Sequence, residues 1–178
     1  MAVFKCVNQS YDWENTVESL CSYIMDPEKT FGYVGGESVR PECAVLEMNV
    51  LKKTWGKEGG RQMRHFILSF SDNEPMTAAE ALTIAQSVAM YYGSRYQIIY
   101  AVHVPRYGGE HYHIHFGMNT VSFIDGAKYS GALHDYHKLR KVINDILRKY
   151  GYRLEKVRND DDYGNYGCFK EELLDFLY

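Results

Sequence analysis

The 178-residue chain has no stretch approaching the run of about 20 apolar residues that a membrane span needs, which excludes a transmembrane segment read from sequence. Its first residues, Met1-Ala2-Val3-Phe4-Lys5-Cys6, lack the apolar core and cleavage site of a signal peptide, so a cytoplasmic protein is expected. Cysteine is sparse: Cys6, Cys21, Cys43 and Cys168 form no C-x-x-C pair, which argues against a thiolate metal site or dithiol centre and for reduced thiols. No internal repeat is visible. A surplus of positive charge is missing too, and a net charge of −3 speaks weakly against a polyanion partner.

The charges are nevertheless segregated. Residues 38–158 hold 17 Lys or Arg against 11 Asp or Glu, while the two ends hold 3 basic and 12 acidic residues. That pattern suits a basic groove on an otherwise acidic protein as well as it suits a mixed solvated surface. With 46% hydrophobic and 15% aromatic residues, the chain is long enough and apolar enough to fold as one unit with a substantial core.

Histidine is concentrated where other signals are thin. Four of the seven histidines, His103, His111, His113 and His115, fall within thirteen residues. In a β-strand side chains alternate faces, so His111, His113, His115 and Asn119 are expected on one face, with Tyr112, Ile114, Phe116 and Met118 filling the other. Tyr96 to Val104, rich in β-branched and aromatic residues, reads as a second strand, followed by a turn at 105–109. With His103 opposite His113 in an antiparallel pair, Cβ atoms stand about 5 Å apart, and His103, His113 and His115 are expected to converge on one ion. Three neutral imidazoles leave open positions for a substrate oxygen, as a catalytic site requires. Ordinary surface or core histidines are the plainer alternative.

Elsewhere, Ala2 to Val7 reads as a strand and Trp13 to Met25 as a helix ending near Pro27. A second helix is expected over Pro41 to Trp55, with Val45, Leu46, Met48 and Leu51 as its apolar stripe. Met63 to Ser71 alternates as a strand, Thr77 caps a helix to about Tyr92 with Glu80 completing a capping box, and Asp125-Gly126 makes a turn within 121–130. Leu133 to Tyr150 closes as a helix stopped by Gly151. Hairpins mixed with helices, without regular βαβ alternation, predict an α+β fold with a central antiparallel β-sheet of about five strands flanked by helices. Residues 159–178 read as an acidic tail, a short docking helix or the start of a linker, beyond a domain spanning 1–158.

Several blocks, in order, resemble the relaxase or mobilization nuclease family, within the wider HUH endonucleases of conjugative and mobilizable elements. Leu20-Cys21-Ser22-Tyr23-Ile24-Met25-Asp26-Pro27-Glu28-Lys29-Thr30 is similar to the family's first motif. His65-Phe66-Ile67-Leu68-Ser69-Phe70 resembles the second, and His113-Ile114-His115-Phe116-Gly117-Met118-Asn119 the third, followed by the family-like Asp125-Gly126-Ala127-Lys128-Tyr129. One departure stands out: where many relatives carry H-x-D, this chain has His103-Val104-Pro105. Either Glu110 takes the place of that carboxylate or metal affinity and rate are lower.

The resemblance implies an HUH-relaxase-like fold and a metal-dependent enzyme that nicks single-stranded DNA at an origin of transfer. Tyr23 is then the nucleophile, with Tyr33 and Tyr11 as alternatives, forming a 5′-phosphotyrosine link. His103, His113 and His115 are the metal ligands for Mg²⁺ or Mn²⁺, with Zn²⁺ as an in-vitro substitute. His111, Asn119 and Glu110 are accessory groups that orient ligands or meet the phosphate. Ser69 of the second motif is expected on the DNA. Lys52, Lys53, Lys57, Arg61 and Arg64 around Trp55 combine charge for phosphates with an aromatic face for bases; Lys128 and the Lys138, Arg140, Lys141 group are lesser candidates, and solvated surface is the plain alternative for all. Accessory relaxosome proteins and a coupling protein are implied partners. Two other readings stay open: a replication-initiator nuclease of the same chemistry, and a decayed accessory module that binds single strands without cutting them. A phosphodiesterase using water in place of tyrosine is a third.

Overall fold

Period-two alternation in two segments, with a β-branched and aromatic run between them, builds the middle of an antiparallel sheet. The computed structural model describes residues 1–71, 74–106 and 111–155. Its strands are β1 (Ala2–Val7), β2 (Val34–Glu37), β3 (Met63–Phe70), β4 (Ile98–His103) and β5 (His113–Asn119). They lie in the order β1-β3-β5-β4-β2, every neighbouring pair antiparallel. The strand bearing the H-x-H motif is therefore central, and β3 and β4 present side chains to it from both sides.

The α+β class and the five strands agree with the expectation from sequence. Strand β2 was not among the strands expected there, since Val34-Gly35-Gly36-Glu37 lacks the β-branched and aromatic run that marks one. It pairs antiparallel with β4, Gly35 opposite Tyr100, and a Cβ at Gly35 would collide with the Tyr100 ring, so glycine lets β4's tyrosine lie against this edge.

Helices cover both faces. On one, α4 (Ala78–Gly93) buries Ala81, Ile84, Ala85, Val88 and Ala89, and α5 (Leu133–Lys149) buries Leu139, Ile143 and Leu147. These spacings place each set on one stripe, against Phe66, Leu68, Ile98, Val102, Ile114, Phe116 and Met118. Thr77 caps α4 by accepting from the Glu80 amide at 3.2 Å. Only half of the expected capping box forms, since the Glu80 carboxylate accepts instead from the Tyr152 hydroxyl at 3.3 Å.

The other face carries α1 (Thr16–Ile24) and α3 (Ala44–Thr54). The first is stopped by Asp26, whose side chain accepts from the Glu28 amide, and by Pro27, which opens the one-turn α2 (Pro27–Thr30). The helix expected over Pro41 to Trp55 begins as a 3₁₀ turn, Pro41–Cys43. Its buried stripe is Ala44, Met48 and Lys52; of the expected Val45, Leu46, Met48 and Leu51, Met48 is buried and Val45 packs beside it, whereas Leu46 is 66% exposed. The chain after α5 returns to pair in parallel with β1 at Ala2↔Leu154. The acidic tail or docking helix expected after residue 158 lies outside the described residues.

Candidate active site

Strand register decides which imidazoles meet. His103 of β4 stands opposite His113 of β5, as expected, and Ala101 opposite His115. From the other side Ser69 pairs with His113, Ile67 with His115 and His65 with Gly117. His65, His103, His113 and His115 thus share one sheet face. Ring centroids are 4.1 Å apart for His103 and His115, 5.2 Å for His65 and His115, and 6.3 Å for His113 and His115. His111 precedes the strand, with its ring 4.3 Å from that of His113.

Tyr23, in the last turn of α1, lowers its ring onto this group. It meets His115, His103 and His65 edge-on at centroid distances of 5.5, 5.7 and 6.1 Å. Lys29 of α2 places its ammonium 4.6 Å from the centre of the same ring. Helical spacing puts Leu20, Cys21 and Ile24 in the core, and Tyr23 packs at the margin of the same cluster.

The hydrogen bonds are specific. His103 donates from Nε2 to the Ile24 carbonyl at 3.0 Å, satisfying a carbonyl that the end of α1 leaves without a helical partner. Nδ1 of His103 then keeps its lone pair. His65 Nε2 lies 3.0 Å from His115 Nδ1, and His65 Nδ1 lies 2.9 Å from the Tyr11 hydroxyl.

Burial controls the protonation. It pushes His65 down to about 3 and His113 down to about 4, holds His115 well below its ordinary value, and lowers His103 despite the Ile24 carbonyl. Neighbouring imidazoles and the Lys29 and Lys5 charges act in the same direction. Burial raises the Tyr23 phenol. The face therefore gathers neutral imidazoles around a protonated tyrosine.

Among the described residues no three His, Cys, Asp or Glu side chains already converge as a ligand set. The His103 and His115 rings overlap at a tilt of 34°. The donor chemistry fits a divalent cation all the same, since His103, His113 and His115 are adjacent, desolvated and neutral.

Other expected site residues separate. Asn119 lies on the histidine face but four residues beyond His115, about 13 Å along the strand. It is fully buried and is held by the Lys52 ammonium, the Gln97 side chain and the Val121 amide, away from the imidazoles. Lys52 is only 2% exposed and donates to the Gln62 carbonyl and to Asn119, so it presents no charge to DNA. Burial lowers its ammonium to about 7. Arg64 emerges on the opposite sheet face, donating to the Ser130 carbonyl at 2.9 Å beside Tyr129. Arg61 is half-buried, Lys128 donates to the Gly59 carbonyl, and Lys53, Lys57 and Trp55 are exposed. Ser69 lies on the histidine face; Glu110 lies outside the described residues.

Three residues of the site were not singled out from sequence. His65 shows the period-two signal of β3, but only its pairing reveals that it reaches His115. Lys29 sits within the first motif without a local sign of its role. Tyr11, kept only as an alternative nucleophile, bonds His65 from a loop whose backbone adopts φ 47°.

Cys6 and Cys21 are free thiols that burial raises to about 12, consistent with inert, reduced cysteines. Among the described residues no helix is long and apolar enough to cross a membrane. Among curated proteins none matches the chain in sequence. A family model does: the one described as Relaxase, MobA/VirD2-like, nuclease domain, matches residues 23–152, from Tyr23 through the histidine strands to the end of α5. Matched over most of its length and built around a tyrosine set among paired-strand histidines, the chain belongs to the relaxase family of mobilization nucleases.

Proposed function

We propose that this nuclease domain, taken as residues 1–158, nicks single-stranded DNA at an origin of transfer through attack by Tyr23. The observation that carries the reading is the Tyr23 ring packed edge-on against three imidazoles of one sheet face. In the reaction the Tyr23 Oη–phosphorus bond forms and the phosphorus–O3′ bond breaks. The phenol proton is balanced by the proton on the released 3′-hydroxyl, and the 5′-phosphate stays on the tyrosine.

The chain's own groups favour each part of that exchange. Burial disfavours the Tyr23 phenolate, and the Lys29 ammonium above the ring offsets part of that cost as negative charge develops. Ser69 and Lys5, on the same sheet face, lie where a phosphodiester would cross the strands. Exposed Lys53, Lys57 and Trp55 offer charge and a stacking face for the adjoining single strand. His103, His113 and His115 would hold Mg²⁺ or Mn²⁺, which supplies withdrawal of charge from the scissile phosphate. Accessory proteins of a relaxosome and a coupling protein are the partners such a nicking step serves.

The test is incubation with Mn²⁺ and single-stranded oligonucleotides tiling the DNA around the gene, followed by denaturing electrophoresis. An SDS-resistant adduct, absent in Tyr23→Phe and His113→Ala, supports the reading and maps the nick. Cleavage without an adduct would replace it with hydrolysis by water. Binding without cleavage in metal-loaded protein would replace it with a non-cutting DNA-binding module, and adducts only at a hairpin replication origin with an initiator.

A further inference from the structure

The Tyr11, His65 and His115 side chains form a continuous buried chain of hydrogen bonds. Tyr11 is 3% exposed, His65 1% and His115 4%. The links are Tyr11 Oη to His65 Nδ1 at 2.9 Å and His65 Nε2 to His115 Nδ1 at 3.0 Å. Tyr11 lies outside the segment that matches the family, which begins at residue 23.

A neutral imidazole carries one N–H and one lone pair, so the chain has two consistent polarities. In the first, Tyr11 donates to His65 Nδ1 and His65 donates from Nε2 to His115 Nδ1, which leaves the proton of His115 on Nε2. In the second, His115 donates from Nδ1 to His65 Nε2 and His65 donates from Nδ1 to the Tyr11 oxygen. Only the second leaves a lone pair on His115 Nε2. The Nδ1 atom of His115 is occupied by His65 in either case.

We infer that Tyr11 and His65 are positioning residues that set the tautomer of His115, and that a divalent cation binds His115 only when this relay runs toward the Tyr11 oxygen. The inference rests on the metal reading proposed above. It changes where protons sit, not how many there are. Partners of this kind fix ligand tautomers in metal sites, and losing one typically costs about 10- to 100-fold in affinity.

Replacing Tyr11 by Phe discriminates between the polarities. In the cation-bound form it strands the His65 Nδ1–H without an acceptor. The metal-free form escapes by reversing the chain, so that only a lone pair is unmatched. A buried orphan donor is the rarer and costlier of the two defects.

The experiment has two readouts on the full chain. Mn²⁺ affinity is measured by titration for the unsubstituted protein, Tyr11→Phe, His65→Gln and His65→Leu. Nitrogen-15 NMR of labelled histidines then reads the tautomers of His65 and His115 with and without Zn²⁺, a diamagnetic probe. The relay predicts Nδ1–H on both residues in the Zn²⁺-bound protein. It also predicts affinity about 10-fold weaker in Tyr11→Phe, and more affinity kept by His65→Gln, whose carboxamide oxygen accepts from His115, than by His65→Leu. Unchanged affinity in Tyr11→Phe, or an Nε2–H on His65 with Zn²⁺ bound, would overturn the inference while leaving the metal reading intact. No Mn²⁺ binding by the unsubstituted protein would overturn both.

Discussion

On β3, β4 and β5 the side chains facing α4 and α5 are almost wholly apolar, whereas those facing α1 change character along the strand. Near Met63, Ile99 and Gly117 the α1 side is a second core, closed by Ile24 and Met48. A few residues further along it becomes His65, His103, His113, His115 and Ser69. One set of strands thus carries a continuous core on one side and a core grading into a polar site on the other. The apolar side supplies the rigidity; the histidine side carries burial that is costly for charge, and that cost keeps the imidazoles neutral.

The sharpest break between the sides is expected at Tyr23. Tyr23→Phe should lower adduct formation by about 10³-fold or more, since phenylalanine lacks the attacking oxygen, while urea unfolding shifts by about 1 kcal/mol or less. A rate of adduct formation near that of the unsubstituted protein would remove Tyr23 from the chemistry. Ile143→Ala, at a fully buried position of α5, should show the reverse. It is expected to lose about 2–5 kcal/mol of stability with the nicking rate of the folded fraction preserved, as read by denaturant titration beside the adduct assay.

Acid should act through the histidine side. The folded metal-free protein holds His65 and His113 at about 3 and about 4 against 6.5. The unfolded chain therefore takes up protons first as the pH falls, and stability present above pH 6.5 is lost between about 6.5 and 4 for His113 and between about 6.5 and 3 for His65. Each tenfold weakening of proton binding by folding corresponds to about 1.4 kcal/mol, so the urea midpoint at pH 4.5 should fall well below that at pH 7. A flat profile over this window would show that these rings are hydrated.

A smaller effect of the same kind belongs to Lys52. Its folded value of about 7 against 10.5 means that the unfolded chain holds the extra proton in that window, so stability should rise with pH from about 7 to 10.5. Lys52→Met should flatten that rise, measured by denaturant unfolding at pH 7 and 9. Smallest are the surface charges: Lys53→Glu with Lys57→Glu should weaken single-strand binding several-fold at low salt, and less at high salt. Arg64→Ala, on the far face, should leave binding unchanged in a fluorescence anisotropy titration.

What could be read from the residues was local or periodic. The alternation of 63–70 and 113–119 and the β-branched, aromatic run of 98–103 determined three strands, and the pairing of His103 with His113 followed from two of them joined by a turn. The α5 stripe and the Thr77 cap were legible for the same reason, because both depend on neighbours within a few residues. Lys52 was misplaced because its stem continues the stripe of Ala44 and Met48 into the core, and a lysine gives no local sign of a buried acceptor such as Asn119. Strand β2 was hidden because Gly35 answers to the Tyr100 ring, 65 residues away in sequence.

The residues by themselves therefore determined that three segments form strands, that two histidine strands pair, and that Tyr23 lies on a helix before Pro27. Only the tertiary structure decided that β3 lies beside β5, which brings His65 to His115 and Tyr11 to His65. The reason is physical: periodicity is written by each residue's nearest neighbours, whereas strand order and side-chain partners depend on how separate amphipathic elements bury their apolar faces together.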